Sequence, residues 1–288
     1  ESVQLTENGK GYEIILDIYE GPQYKIRDIS WAGNYIHSDE ELLHRINYNA
    51  GDIFFEDKFN MAISERVSSL YTDKGYFYFQ INPIFTPIDD DLLDIHFEIV
   101  ENQIVHIRKI NINGNEKTYE NVIRRELRVF PGDIFNRRKL MDSYRDIFML
   151  NFFENVIPDI IPVSDDKIDI QLDVIEKNTG QANLSMGYNG MHGFTGGGGF
   201  EFPNFRGKGQ TMSISYQRGM NNNQQYNITP SSQTTATYQS FSISFTEPYL
   251  FDTPNMVGGS YHYTERGQGQ GNYLPFDTHQ QGGSLRWG

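Results

Sequence analysis

The stretch Gly193–Phe202, GFTGGGGFEF, holds four glycines in a row inside a strictly alternating pattern. Phe194, Gly196, Gly198, Phe200 and Phe202 fall on one side, and Thr195, Gly197, Gly199 and Glu201 on the other. Glycine loses more freedom on ordering than any other residue, so an ordered run of four needs a reason. A β-strand supplies one, because glycine there clears both faces and permits sharp bending or the close approach of another backbone. A phosphate-binding loop does not fit. The nearby RGKGQT (Arg206–Thr211) has no glycine five residues before Gly207, and Gly209 follows Lys208 where Ser or Thr is needed. No nucleotide is expected.

The alternation continues on both sides of this stretch. In the segment before it, Ala182, Leu184, Met186 and Tyr188 oppose Asn183, Ser185, Gly187 and Asn189. After it, Met212, Ile214 and Tyr216 oppose Ser213, Ser215 and Gln217, and Phe241, Ile243 and Phe245 oppose Ser242, Ser244 and Thr246. Val257–Thr264 and Ser284–Trp287 alternate in the same way, which makes six strands. The polar face is small and hydroxylic, as for a wet barrel lumen rather than the charged outer face of a soluble sheet. Connections alternate between short and long, and the long ones, Gly219–Thr237 and Glu265–Gln280, are polar. Tyr216, Tyr249, Tyr261, Tyr263 and Trp287 are candidates for interfacial aromatic belts. Six strands fall short of the eight that the smallest bacterial barrels use, so further strands are expected.

Upstream the material changes. Residues 1–180 hold 19 Lys+Arg against 33 Asp+Glu, whereas residues 181–288 hold 5 of each. Glycine runs the other way, with 8 before residue 180 and 19 from there on. The acidic half disfavours nucleic acid. There is no cysteine, hence no disulfide or thiolate metal site. No apolar run reaches the length of a membrane-spanning helix, and the opening ESVQLTENGK has no signal-peptide core.

The acidic half repeats. YKIRDISWAGN (Tyr24–Asn34) returns as VHIRKININGN (Val105–Asn115), and GDIF (Gly51–Phe54) returns at Gly132–Phe135, each 81 residues later. LLDIHFEIVEN (Leu92–Asn102) is matched by KIDIQLDVIEK (Lys167–Lys177), and a third such tail, YEIILDIYEG (Tyr12–Gly21), precedes the first full unit. Each unit reads β-α-α-β-β. The first strand of the first unit has an irregularity between Ile26 and Ile29. Ser38 and Glu41 suggest a capping box, with the counterpart helix starting at Thr118. Phe59, Ile63, Val67, Leu70 and Tyr71 have helical spacing, closed by Gly75, for which Asn151 stands in the second unit. Extended segments are predicted at 76–85 and 152–161. The apolar residues are core. The small sheets also leave edge strands, which can accept an extended partner or be covered by a neighbouring unit.

Catalysis finds no support. The histidines (37, 44, 96, 106, 192, 262 and 279) show no metal-ligand spacing with carboxylates, and His37 and His44 are expected on the surface of their helix. No serine lies in a nucleophile elbow. Glu201 and His262 both face the inferred lumen, as chance alone provides.

Acidic β-α-α-β-β repeats leading straight into a barrel resemble the Omp85 superfamily, and within it the outer membrane protein assembly factors. RRELRVFPGD (Arg124–Asp133), LNFFENV (Leu150–Val156), EKNTGQANLSMGYNG (Glu176–Gly190), FPNFRGKGQ (Phe202–Gln210) and FTEPYLFDT (Phe245–Thr253) carry the likeness. The resemblance implies α+β POTRA repeats followed by a transmembrane antiparallel β-barrel. Residues 1–21 would end an upstream POTRA domain, 22–102 and 103–178 would be the last two, and 179–288 would start the barrel. It implies an outer-membrane location with the repeats in the periplasm, and no cofactor. The partners implied are unfolded outer membrane protein clients, accessory lipoproteins and outer-membrane lipid. The first barrel strand, Gln181, Ala182, Asn183, Leu184, Ser185, Met186, Gly187 and Tyr188, would border a lateral gate where client strands pair. Arg124, Arg125 and Glu126 are the candidate contact with a lipoprotein. A two-partner secretion transporter or a TamA-like insertase of the same superfamily is the alternative reading, and a soluble tandem-domain binding protein a more distant one.

Overall fold

A computed structural model describes residues 2–5, 12–15, 21–89, 91–189, 193–220, 237–266 and 276–288. The chain forms two compact units, Glu1–His106 with Ile134–Arg138, and Ile107–Asp133 with Lys139–Gly288.

The first unit opens with an antiparallel pair, β1 (Ser2–Leu5) and β2 (Tyr12–Ile15). A full repeat follows: β3 (Lys25–Ala32), α1 (Asp39–Ile46), α2 (Glu56–Met61), a π-helical turn (Ala62–Val67), α3 (Ser68–Thr72), β4 (Gln80–Pro87) and β5 (Leu92–Val100). The sheet order is β3-β5-β4, with β3 parallel and β4 antiparallel to the central β5. The helices cover one face. Phe59, Val67 and Tyr71 on the helical side meet Ile26 and Phe97 on the sheet side, and all five are fully buried. Each such side chain contributes about 1.5–3 kcal/mol.

Local details follow the sequence with three corrections. The irregularity in the first strand is a register shift between Ile26 and Asp28. The Ser38 hydroxyl accepts from the Glu41 amide at 3.3 Å, which is half of a capping box. The other half is missing, because the Glu41 carboxylate turns to His37 Nδ1 at 2.7 Å. His37 is therefore not a surface residue. It is buried, edge-on to the Tyr71 ring and 3.2 Å from Lys74 Nζ. The extended segment begins later than alternation suggests, at Gln80 rather than residue 76, because 76–79 form a turn.

In the second unit β6 (His106–Asn113) continues from the first unit's last residue. Next come α4 (Glu120–Arg124), α5 (Arg137–Met149, entered from the first unit's Ile134–Arg138), β7 (Phe153–Ser164) and β8 (Lys167–Glu176). The order β6-β8-β7 reproduces the first repeat. Asn151 adopts the left-handed conformation that its position requires (φ 61°). The helix expected to start at Thr118 starts two residues later with Tyr119 at its N-cap and no side-chain cap, and the Thr118 hydroxyl accepts from Asn204.

Six antiparallel strands complete this unit: β9 (Gln181–Asn189), β10 (Gly193–Phe205), β11 (Gln210–Met220), β12 (Thr237–Glu247), β13 (Val257–Arg266) and β14 (Thr278–Trp287). They follow chain order across one sheet. Each is longer than the alternating core that betrays it. The hydroxylic face consists of cross-strand pairs, Ser213–Ser244 at 2.7 Å, Ser215–Ser242 at 2.8 Å and Ser260–Ser284 at 2.8 Å. Such pairs satisfy hydroxyls in register without charge. Most of the two long polar connections lies outside the described residues. Among the described residues no helix is long and apolar enough to cross a membrane.

Candidate functional site

Two features of the second unit are candidates for function: a strand at the end of the large sheet, and the joint between the second repeat and the barrel strands.

β9 is the terminal strand of the six and pairs with β10. Its apolar side is turned out, with Leu184 and Met186 more than four-fifths exposed and Tyr188 also exposed. Side chains of that kind on one face of a barrel strand suit lipid. The four glycines lie opposite the middle of this strand, Gly196–Gly199 facing Met186, Ser185, Leu184 and Asn183 in turn. On their other side they meet β11 closely. A Cβ on Gly197 would lie 2.7 Å from the Tyr216 carbonyl oxygen and 3.0 Å from the Gln217 Cα. Close backbone approach thus excludes a side chain at Gly197 and crowds one at Gly198 and Gly199, whereas at Gly196 the nearest atom is 3.9 Å away. Gln181, Ala182, Asn183, Leu184, Ser185, Met186, Gly187 and Tyr188 all lie on this one terminal strand.

The joint is built from α4 and two barrel turns. The Tyr119 amide donates to the Gly207 carbonyl at 2.9 Å, and Asn204 Nδ2 donates to the Thr118 hydroxyl at 2.8 Å. Asn204 Oδ1 accepts from the Gly209 amide at 2.7 Å, which fixes the turn. The Glu176 carboxylate accepts from the amides of Lys117 and Thr118 at 2.8 and 2.6 Å. Burial raises its pKa, but hydrogen bonds from Thr118 and Lys117 outweigh that and hold it below the ordinary glutamate range. Asn121 Nδ2 donates to Asp252 Oδ1 at 3.0 Å.

The candidate lipoprotein triplet is split by this joint. Arg125 and Glu126 are largely covered. The Arg125 guanidinium carbon sits 4.0 Å from the centroid of the Tyr249 ring, and Arg125 Nε is 3.6 Å from Glu126 Oε1, an ion pair too long for a hydrogen bond. Burial pushes the Glu126 carboxyl up despite Arg125. Burial, with the Glu126 charge beside it, also raises the Tyr249 hydroxyl. Tyr249 is therefore a packed joint residue, not a member of an interfacial belt. Arg124 points away to Glu120 and to the Ile110 carbonyl and stays partly exposed. Sequence reasoning missed Asn204 and Tyr249 as partners of α4, because nothing local in either turn signals a contact so far along the chain. Among the described residues no group of His, Asp and Glu is arranged to hold a metal ion.

The POTRA family (surface antigen variable number repeat) matches residues 24–102 and 105–177, and the Omp85 superfamily domain matches residues 204–288. The chain belongs to the Omp85 superfamily. It is 29% identical over 209 residues to the outer membrane protein assembly factor BamA of Nitratidesulfovibrio vulgaris, covering 71% of this chain and 26% of that one. It is 26% identical to BamA of Neorickettsia risticii over all of this chain and 37% of the relative. The chain thus spans roughly a third of the length of the curated relatives it matches. Among solved structures, BamA from Haemophilus ducreyi lacking POTRA domains 1–3 matches with a TM-score of 0.62 at 18% identity, over 91% of this chain and 58% of that one. The fold is that of POTRA repeats followed by the start of an Omp85 barrel. Such a chain is an outer-membrane protein, with its POTRA repeats in the periplasm.

Proposed function

We propose that this chain is the joint region of an outer membrane protein assembly factor, which folds and inserts β-barrel clients. The observation that carries this reading is β9: a terminal strand with an exposed apolar face, directly after a POTRA repeat, in a chain similar to proteins named BamA. Residues 1–21 then end an upstream repeat, 22–102 and 103–178 are two POTRA domains, and 179–288 begin the barrel. Gln181–Tyr188 borders the lateral gate. A client strand pairs there through its backbone, which demands little of its sequence. Insertion is driven by satisfying strand hydrogen bonds inside lipid and burying apolar faces, with no cofactor. Accessory lipoproteins dock on the second repeat. Of the triplet, Arg124 is the member a partner could reach, whereas Arg125 and Glu126 hold the joint.

The test is folding of a urea-unfolded eight-stranded barrel protein into vesicles carrying the full-length protein, followed by heat-modifiable mobility. The expected result is folding accelerated by about tenfold or more over empty vesicles, equivalent to at least 1.4 kcal/mol off the barrier. An equal rate with and without the protein would overturn the assignment.

A further inference from the structure

We propose that the second repeat is built to refuse an added strand, so that beside the barrel client pairing is directed to β9. This rests on the reading of β9 above and adds where pairing does not occur.

In an antiparallel pair, alternate residues of an edge strand point N–H and C=O away from the partner. The Ile88 amide donates to the Leu92 carbonyl at 3.0 Å, so counting back along the ladder puts the outward groups of β4 at Ile81, Pro83, Phe85 and Pro87. Proline has no N–H to offer. The second repeat keeps proline at the same two rungs: Pro83 and Pro87 face Phe97 and Leu93, and Pro158 and Pro162 face the matching Leu172 and Ile168. On β7 the donors beside the prolines are also taken. The Val156 amide donates to Asn155 Oδ1 and the Ile160 amide to Asp159 Oδ1, each at 2.9 Å. From Val156 to Pro162 the outward row has no donor free for a new strand.

The opposite edge of the same sheet is engaged at Ile107 and Ile110. On β6 the Ile107 amide donates to the Asp133 carbonyl at 2.9 Å, and its carbonyl accepts from Gly132 at 2.7 Å. Further along, the Ile110 carbonyl accepts from Arg124 Nη2 at 3.1 Å. The first repeat is only half shut. Ile26 is covered by Asp52 and Gly51 in the same way. However, Leu43 stands where Arg124 stands 81 residues later, and Ile81 and Phe85 keep an outward N–H. A protein that handles unfolded strands beside its own open sheets risks trapping them there. Closing the repeat that directly precedes β9 leaves the barrel strand as the competent edge. Capture is ordered β9, then β4, then β7.

The experiment places a benzoylphenylalanine cross-linker at Leu184, Phe85 or Ile160 of the full-length protein in vesicles. The probe is a synthetic peptide copying this chain's own β12, TYQSFSISFTE. Capture at Leu184 is expected to exceed that at Ile160 by about tenfold, with Phe85 between, since each ladder hydrogen bond that the edge withholds weakens pairing. The triple variant Pro158→Thr, Asp159→Ala, Pro162→Thr, shown to be folded by circular dichroism, should raise capture at Ile160 by a similar factor. Pro83→Thr with Pro87→Thr should raise it at Phe85. Equal capture at Ile160 and Leu184 in the unaltered protein, or no gain in either proline variant, would overturn the proposal. Gain in the proline variants without any capture at Leu184 would instead sink the reading of β9 and leave the edge rule standing.

Discussion

The Arg125 guanidinium stacks on the Tyr249 ring at 4.0 Å, and this contact ties α4 of the second POTRA repeat to the turn that follows β12. A cation over an aromatic face is worth about 0.5–2 kcal/mol, more as water is excluded. Arg125→Ala and Tyr249→Ala should each loosen the joint, and the double variant should be little worse than either single one. Spin labels on Glu120 and Thr253 report this as a broadened distance distribution. An unchanged width in both single variants would show that the stack holds nothing.

Glu126 makes the same joint sensitive to pH. Its folded pKa lies above the ordinary glutamate value of 4.5, chiefly through burial. A raised carboxyl binds its proton more tightly in the assembled state, so this group's contribution is full below 4.5 and is lost as pH rises through the higher value. The joint should tighten on mild acidification. Glu126→Gln, which mimics the protonated acid, should keep it tight at neutral pH and remove that part of the dependence. The same spin-label pair, followed across pH, gives the comparison.

Gly207 separates a steric requirement from a conformational one. Its φ is 73°, and a Cβ there would lie 1.9 Å from the Lys117 carbonyl oxygen. Gly132 also has positive φ (95°), but nothing lies within 4 Å of its Cβ position. Gly132→Ala should therefore cost about 1 kcal/mol, the price of the left-handed backbone alone. Gly207→Ala should cost several times more and break the Tyr119–Gly207 hydrogen bond. Chemical denaturation of the two variants in detergent, side by side, distinguishes them. Equal costs would mean that the turn simply moves away from α4.

Much of this architecture can be read from residue order because its signals are local or periodic. The 81-residue spacing of the repeated segments exposes the two repeats, and alternation exposes each barrel strand, including the glycine run that could pass for a linker. What stays hidden depends on contacts distant in sequence. Thr118 reads as the start of a helix, but the helix begins at Glu120 and Asn204 donates to the Thr118 hydroxyl. His37 reads as an exposed helix-flanking residue until Tyr71 and Lys74 enclose it. Arg125 and Glu126 read as part of a lipoprotein contact until Tyr249 packs on them. The edge prolines stand in the sequence, but their meaning depends on which rung of the ladder each occupies. Only the register supplies that.

Glu176 sits at the end of β8, where the repeat passes into the barrel, and its carboxylate closes the loop after β6 by accepting from the Lys117 and Thr118 amides. The first repeat uses Glu101 in the same way, accepting from the Ile36 amide at 3.0 Å. In the second repeat the loop so held also presents Thr118 to Asn204, so one carboxylate supports both the repeat and the joint. Its folded pKa is depressed, because the hydrogen bonds it accepts from Thr118 and Lys117 exceed the effect of burial. A depressed carboxylate adds stability that is present above the ordinary value of 4.5 and is lost as pH falls through the lower folded value. Glu176→Gln keeps the shape but loses the charge, and it should cost about 1–3 kcal/mol at neutral pH. Below the folded pKa the variant and the unaltered protein should converge in stability. Urea unfolding at a series of pH values, followed by circular dichroism, tests this directly: a constant offset between the two at every pH would mean that Glu176 acts by packing, with its charge irrelevant.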